Sequence, residues 1–257
     1  MPPVFLIIAR YTLIEAYRAR LLWLLVLILL ASFALAEFAG ALAITEGVAF
    51  KSGLLGAVLR LAAVFLLSLF AIASMVRELN DKQLELVLAL PIARASYFLG
   101  KLTGHALVAL VTALLCGLLL IIHVPPKQVL LWVLSLSCEL VVVIAFSMLC
   151  MFTCKQIVVA LSAVTGFYLL ARSIGALQLM GSTGPLIDPG SWSQRVIGEA
   201  IAAIAYLLPE FDRFTHSDWL VYHTGTWSEL GAVFGQSVVY VLLLAAASLF
   251  DFYRKEL

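Results

Sequence analysis

Six apolar stretches of about 20 residues, 21–38, 57–76, 102–122, 129–151, 157–179 and 232–250, leave this chain little choice of solvent. A run of that length, wound as an α-helix, matches the roughly 30 Å hydrocarbon core of a bilayer, and a helix satisfies its own backbone groups in lipid. With six such runs in 257 residues, little chain remains for anything else. The expected fold is therefore an all-α integral membrane protein with six transmembrane helices, a single domain over 1–257. Only 12% of residues are charged and the net charge is +1, so the basic field that nucleic acid requires is missing.

The first run has the outline of a secretory leader, with arginines before it and Ala34-Leu35-Ala36 near its end. The stretch before it is longer than a usual charged leader segment, so it is read as a retained helix. That stretch, 1–20, carries Val4, Ile7, Ile8, Tyr11 and Ile14 at helical spacing, with Arg10, Glu15 and Arg18 off the stripe. It predicts an amphipathic elbow helix lying on the inner membrane surface.

Counting Lys and Arg on either side of the six spans gives ten on the side of the termini and six on the other. The positive-inside rule then puts both termini in the cytoplasm of a bacterial inner membrane. The four cysteines, Cys116, Cys138, Cys150 and Cys154, fall in or at the ends of apolar runs, and no disulfide framework is expected.

Between the second and third runs sits a charge island, "RELNDKQLELVLALPIARASYFLGK", residues 77–101. Glu78, Asp81, Lys82 and Glu85 recur at i, i+3, i+4 and i+7, while Leu84, Val87 and Leu88 take another face. Pro91 stops that helix, and the chain restarts toward the third span. Periodicity alone predicts a short helix along the inner surface. The same run is similar to the segment between the second and third spans of ABC-2 type transporter permeases, carried here by Glu78, Glu85, Leu88, Leu90, Pro91, Arg94, Gly100 and Lys101. Lys82-Gln83 departs from the Gly-Thr often found there. The stretch "YLLPEFDRFTHSDWLVY" resembles, more loosely, the branch that includes permeases of copper-enzyme maturation systems.

The resemblance implies that the island is a cytoplasmic coupling helix seated on a separate ABC ATPase subunit, with Glu78, Asp81, Lys82, Glu85, Pro91 and Arg94 at the contact. It further implies two ATPase copies, a second permease copy or paralogue, and ATP with Mg²⁺ bound in the partner, none by this chain. No G-x-x-x-x-G-K-[ST] phosphate loop occurs in the sequence, so the chain is read as a permease subunit without its own ATPase motif.

The stretch 180–230 contains a turn-rich segment, a semi-apolar helix too short to span, and an aromatic, acidic segment. A re-entrant helix followed by an outer cap is expected, with Trp192, Trp219 and Trp227 near the headgroups. Phe211 and Trp219 are candidates for docking a periplasmic protein. Glu139, near the middle of the fourth span, is a candidate for the translocation path or a carboxyl hydrogen-bonded to another helix. Arg60 and Arg172 are expected to snorkel, and the four histidines to hydrogen-bond locally. Met148, Cys150, Met151 and Cys154 are read as apolar filling, with no metal site. Gly100/Gly104 and Gly231/Gly235 predict close helix contacts.

Two further functions fit the same sequence. One is a membrane scaffold or mechanotransmitter whose cap docks a periplasmic partner. The other is a proton-coupled secondary carrier with Glu139 as the proton site, although no inverted repeat is seen.

Overall fold

The computed structural model describes residues 4–42, 47–81, 93–154, 156–183 and 192–254. Most of the expected coupling helix, including Lys82, Glu85 and Pro91, lies outside them. Among the described residues there are nine α-helices, one 3-10 turn and no strand. Their ranges are α1 Val4–Arg18, α2 Leu21–Leu42, α3 Gly47–Asn80, α4 Arg94–Leu120, α5 Pro126–Cys154, α6 Ile157–Thr183, α7 Trp192–Leu207, α8 Ser217–Val221 and α9 Trp227–Arg254.

Six of these (α2, α3, α4, α5, α6 and α9) are long and apolar enough to cross a membrane. They realise the six predicted runs, usually with longer ends. The second run extends most, to 34 residues. At 1.5 Å per residue that is roughly 50 Å, longer than the hydrocarbon core. The added turns carry Lys51 and Glu78, both paired within the protein.

Local chemistry sets the corners. Arg20 adopts the left-handed conformation, φ 58°, and turns the chain from α1 into α2. Pro126 occupies the first position of α5, where its missing N–H costs nothing.

α5 is the hub. It packs against α3, α4, α6 and α9, and Val142, Val143, Ile144 and Ala145 are consecutively buried because neighbours stand on all sides. α6 and α9 turn large apolar faces outward, including Val158, Leu169, Leu242 and Phe250.

Of the elbow's bulky stripe Ile7 and Tyr11 stand exposed and Ile8 packs against the core, and the fully buried face is Ala9, Thr12 and Ala16. Those small residues lie on Gly100 and Gly104 of α4, where an added Cβ would come within 2.8 Å of Ile8 and 2.6 Å of Thr12. Backbones can approach that closely only where both surfaces are small. A Cβ at Gly231 or Gly235 would meet nothing within 4 Å, so that predicted pair makes no close contact within the described chain.

The short apolar helix appears as α7, packed against α6 with Tyr206 and Leu207 exposed.

Candidate functional site

Two polar clusters occupy opposite ends of the bundle. At the end nearer the termini, the glycine seat on α4 brings Glu15 of α1 against Lys101. The ammonium lies 3.2 Å from Glu15 Oε2, pairs also with Glu78 of α3, and donates to Ser74 Oγ at 3.4 Å. Ser74 Oγ donates to Glu15 Oε2 at 2.8 Å, and Tyr97 OH donates to Glu78. Lys101 is only 4% exposed. A buried ammonium of this kind is tolerable because two carboxylates and a hydroxyl replace its water. His105, one turn on, donates Nδ1–H to the Lys101 carbonyl at 2.8 Å, and its ring packs 5.5 Å from Phe70.

Glu78 and Arg94, expected at an ATPase contact, therefore have partners inside the chain. Arg94 donates to the Phe252 carbonyl at 3.0 Å and sits 5.7 Å over the Phe252 ring, neutralising the carbonyl end of α9. Asp81 is exposed where α3 ends.

At the opposite end, the segment after α7 plugs into the bundle. The 3-10 turn Phe211–Arg213 drives Phe211 inward, with Phe214 beside it, both 0% exposed. Phe211 stacks near Phe167, Tyr168 and Phe214, at 6.0, 5.7 and 5.4 Å between ring centres. Two arginines from the spans meet the carbonyls of this segment, that of Phe211 while it also accepts the Phe214 N–H at 3.1 Å. Arg172 donates to the carbonyls of Phe211 and, at 2.8 Å, Phe214; Arg60 donates to that of Thr215 at 3.1 Å.

Thr215 is the keystone. It holds φ 45°, an unusual conformation for a β-branched residue. Its N–H donates to Ser135 Oγ at 2.9 Å and its Oγ1 donates to Glu139 Oε2 at 2.6 Å. Tyr168 OH donates to Glu139 Oε1 at 2.9 Å. Glu139 is fully buried, with each carboxyl oxygen accepting one hydroxyl. Farther along the cap, Gln128 Nε2 donates to the carbonyls of His223 and Gly225 at 2.7 and 3.3 Å, and Ser52 Oγ to that of Leu220 at 3.4 Å.

Three expectations change here. Phe211 and Trp219 are not surface aromatics; at 0% and 2% exposure they are the cap's anchors in the bundle. Arg60 and Arg172 do not snorkel, since cap carbonyls replace the headgroups. His123 does not bond locally: its Nε2 lies 2.8 Å from Glu37 Oε1, while Lys51 holds Glu37 Oε2 at 2.5 Å, clasping the neighbouring ends of α2, α3 and α4. Glu139 meets the other half of its expectation, a carboxyl bonded to a second helix, but its stronger tie is to the cap. Tyr168, Thr215 and Ser135 were not foreseen. Among the described residues no group of three or more His, Cys, Asp or Glu is arranged to hold a metal.

Six helices long and apolar enough to cross a bilayer define a multi-pass helical membrane protein. A family described as ABC-2 family transporter protein matches residues 43–250, which takes in α3 through nearly all of α9, and the chain belongs to that family. It is thus a permease subunit of ABC-2 type. No curated protein matches the chain.

Proposed function

We propose that this permease couples ATP hydrolysis in two separate ABC ATPase subunits, which hold ATP and Mg²⁺, to export or to mechanical work across a bacterial inner membrane. It works as a pair, with a second copy or a paralogue. Both termini lie in the cytoplasm, as the excess of basic residues on that side supports. The segment 77–101 receives the ATPase, with Asp81, Lys82, Glu85 and Pro91 presenting the contact.

The observation that carries this reading is the anchoring of both ends of that segment. Glu78, just before it leaves α3, is fixed to Lys101 and Tyr97; Arg94, just after it enters α4, is fixed to α9. A displacement imposed between them would reach α1, α3, α4 and α9 together. The sealed cap at the other end is a gate in this reading, with Glu139 as its latch. Of the cap aromatics that suggested the scaffold alternative, Phe211 and Trp219 are buried while Tyr222 and Trp227 stand exposed.

The test is co-purification of the ATPase subunit. Charge reversal at Asp81 and Glu85 should weaken association, most clearly at low salt. Leu84→Pro should abolish it, because an interior proline costs a helix about 3 kcal/mol. Full retention of the ATPase by variants that insert normally would defeat the proposal.

A further inference from the structure

The clasp of Glu37, Lys51 and His123 meets the end of the cap across a cavity of about 360 Å³. One wall is the start of α3, with Gly47, Val48 and Ser52, together with His123 from the turn between α4 and α5; the other is Leu220, Val221 and His223 of the cap. Two imidazoles from separate elements thus line one space, and they are held differently. His123 donates Nε2–H to Glu37 Oε1 at 2.8 Å, its ring centre lies 5.9 Å from that of Phe33, and its Nδ1 is buried with no hydrogen-bond partner among the described residues. His223 is exposed in the left-handed conformation, φ 58°, and is tied to the bundle through its carbonyl, which accepts from Gln128 Nε2 at 2.7 Å.

Charge decides what acid does here. Among the described residues, the charged and titratable groups around His123 are Glu37 of α2, Lys51 of α3 and His223 of the cap; Lys127, Asp218 and Glu229 are exposed and line no part of the cavity. Lys51, 2.5 Å away, already neutralises Glu37, so with both imidazoles neutral the group carries no net charge. Histidine changes charge between pH 5 and 8. A proton reaching His123 enters at Nδ1, where only water in the cavity can accept from it, and one reaching His223 puts a further cation on the other wall. Three cations then surround one carboxylate. Protonated His123 keeps its hold on Glu37, since that bond becomes an ion pair, while it repels protonated His223. The side that yields is the cap, whose end is joined to the bundle here by neutral hydrogen bonds from Gln128 and Ser52. The closed cap binds fewer protons than the open one, so acid moves the balance toward open.

We propose that His123 and His223 form an acid-sensitive catch, which holds the cap segment 217–224 shut while both imidazoles are neutral and releases it when both are protonated. The catch gives the gate a trigger, the pH of the outer compartment, and rests on the gate reading for that meaning.

Backbone hydrogen exchange of the full chain in detergent, read by mass spectrometry at about pH 8 and about pH 5.5 and corrected for the intrinsic pH dependence of exchange, tests the catch. Opening of 217–224 should rise about tenfold on acidification, while 117–129, around the turn that bears His123, changes by less than about twofold. His223→Gln should abolish the rise and keep the parent's protection at the higher pH. His123→Gln should abolish it too, but it also cuts the bond to Glu37, so the exposed His223 gives the decisive variant. His216→Gln, beside Trp219 but outside the cavity, should retain the full rise. An unchanged cap in acid, a full rise in His223→Gln, loss of the rise in His216→Gln, or equal opening of 117–129 would each overturn the proposal. Exchange is read on the permease alone, so failure here is distinct from failure of the ATPase co-purification.

Discussion

Thr215 Oγ1 and Glu139 Oε2 lie 2.6 Å apart, joining the cap to the midpoint of the most enclosed helix across 76 residues of sequence. The bond decides what fails first when Glu139 is altered. Glu139→Ala strands the hydroxyls of Tyr168 and Thr215 in an apolar interior, at about 1–3 kcal/mol each. The cap should loosen before the bundle does. Limited proteolysis should cut within 208–226 far faster in Glu139→Ala than in the parent, while the melting of helical circular dichroism shifts less. A double-mutant cycle with Thr215→Val should give a coupling of about 1 kcal/mol or more. Independent effects would mean that the two groups do not act together.

Lys101 is expected to be critical as a charge and dispensable as part of a set. Lys101→Met leaves Glu15 and Glu78 facing each other beside Ser74, which should cost about 3–5 kcal/mol. The triple variant Lys101→Met, Glu15→Gln, Glu78→Gln should regain most of that loss, since the interior is then neutral. Thermal unfolding in one detergent compares the three proteins directly. No recovery in the triple variant would mean that Lys101 acts through its shape.

Gly104→Leu should expel the elbow, because its Cβ alone would come within 2.6 Å of Thr12 and 3.1 Å of the Ala9 backbone. Trypsin should then cut at Arg10 and Arg18 at a raised rate. Gly235→Leu, with nothing within 4 Å of its Cβ, should behave as the parent within about 0.5 kcal/mol. Equal protection of Arg10 in the two variants would count against the docking of α1.

Phe211→Ala and Trp219→Ala should each cost about 3–5 kcal/mol by leaving cavities under the cap. Arg213, 67% exposed on the same turn, should tolerate Ala with a change under about 1 kcal/mol, the worth of its exposed pair with Glu210. Melting temperatures order the three variants. If Trp219→Ala melts with the parent, the cap is not anchored through that ring.

The spans were legible because their signal is long and redundant: twenty apolar residues outvote any single polar one. Their ends were less so, since Lys51 and Glu78 look like boundaries until Glu37 and Lys101 are seen to complete them. The cap was misread for a specific reason. Arg60 and Arg172 meet backbone carbonyls, and a carbonyl has no letter in a sequence. An arginine inside each of two spans was the available clue, and it pointed equally to lipid. Likewise the acidic neighbours of Phe211 and Trp219 suggested a wet surface, whereas the 3-10 turn sends the aromatics inward, sets Asp212 against Gly175 of α6 and leaves Arg213 to the outer side.

The seat of the elbow also sets a schedule. α1 is translated well before its partner surface at Gly100 and Gly104 and its ion partner Lys101, which lies 86 residues after Glu15. At about 5–20 residues per second, the nascent helix waits roughly 4–17 s for the place where it belongs. Over that interval its small-residue face has only lipid or the insertion machinery to lie against, and α1 docks only after two later helices have entered the membrane.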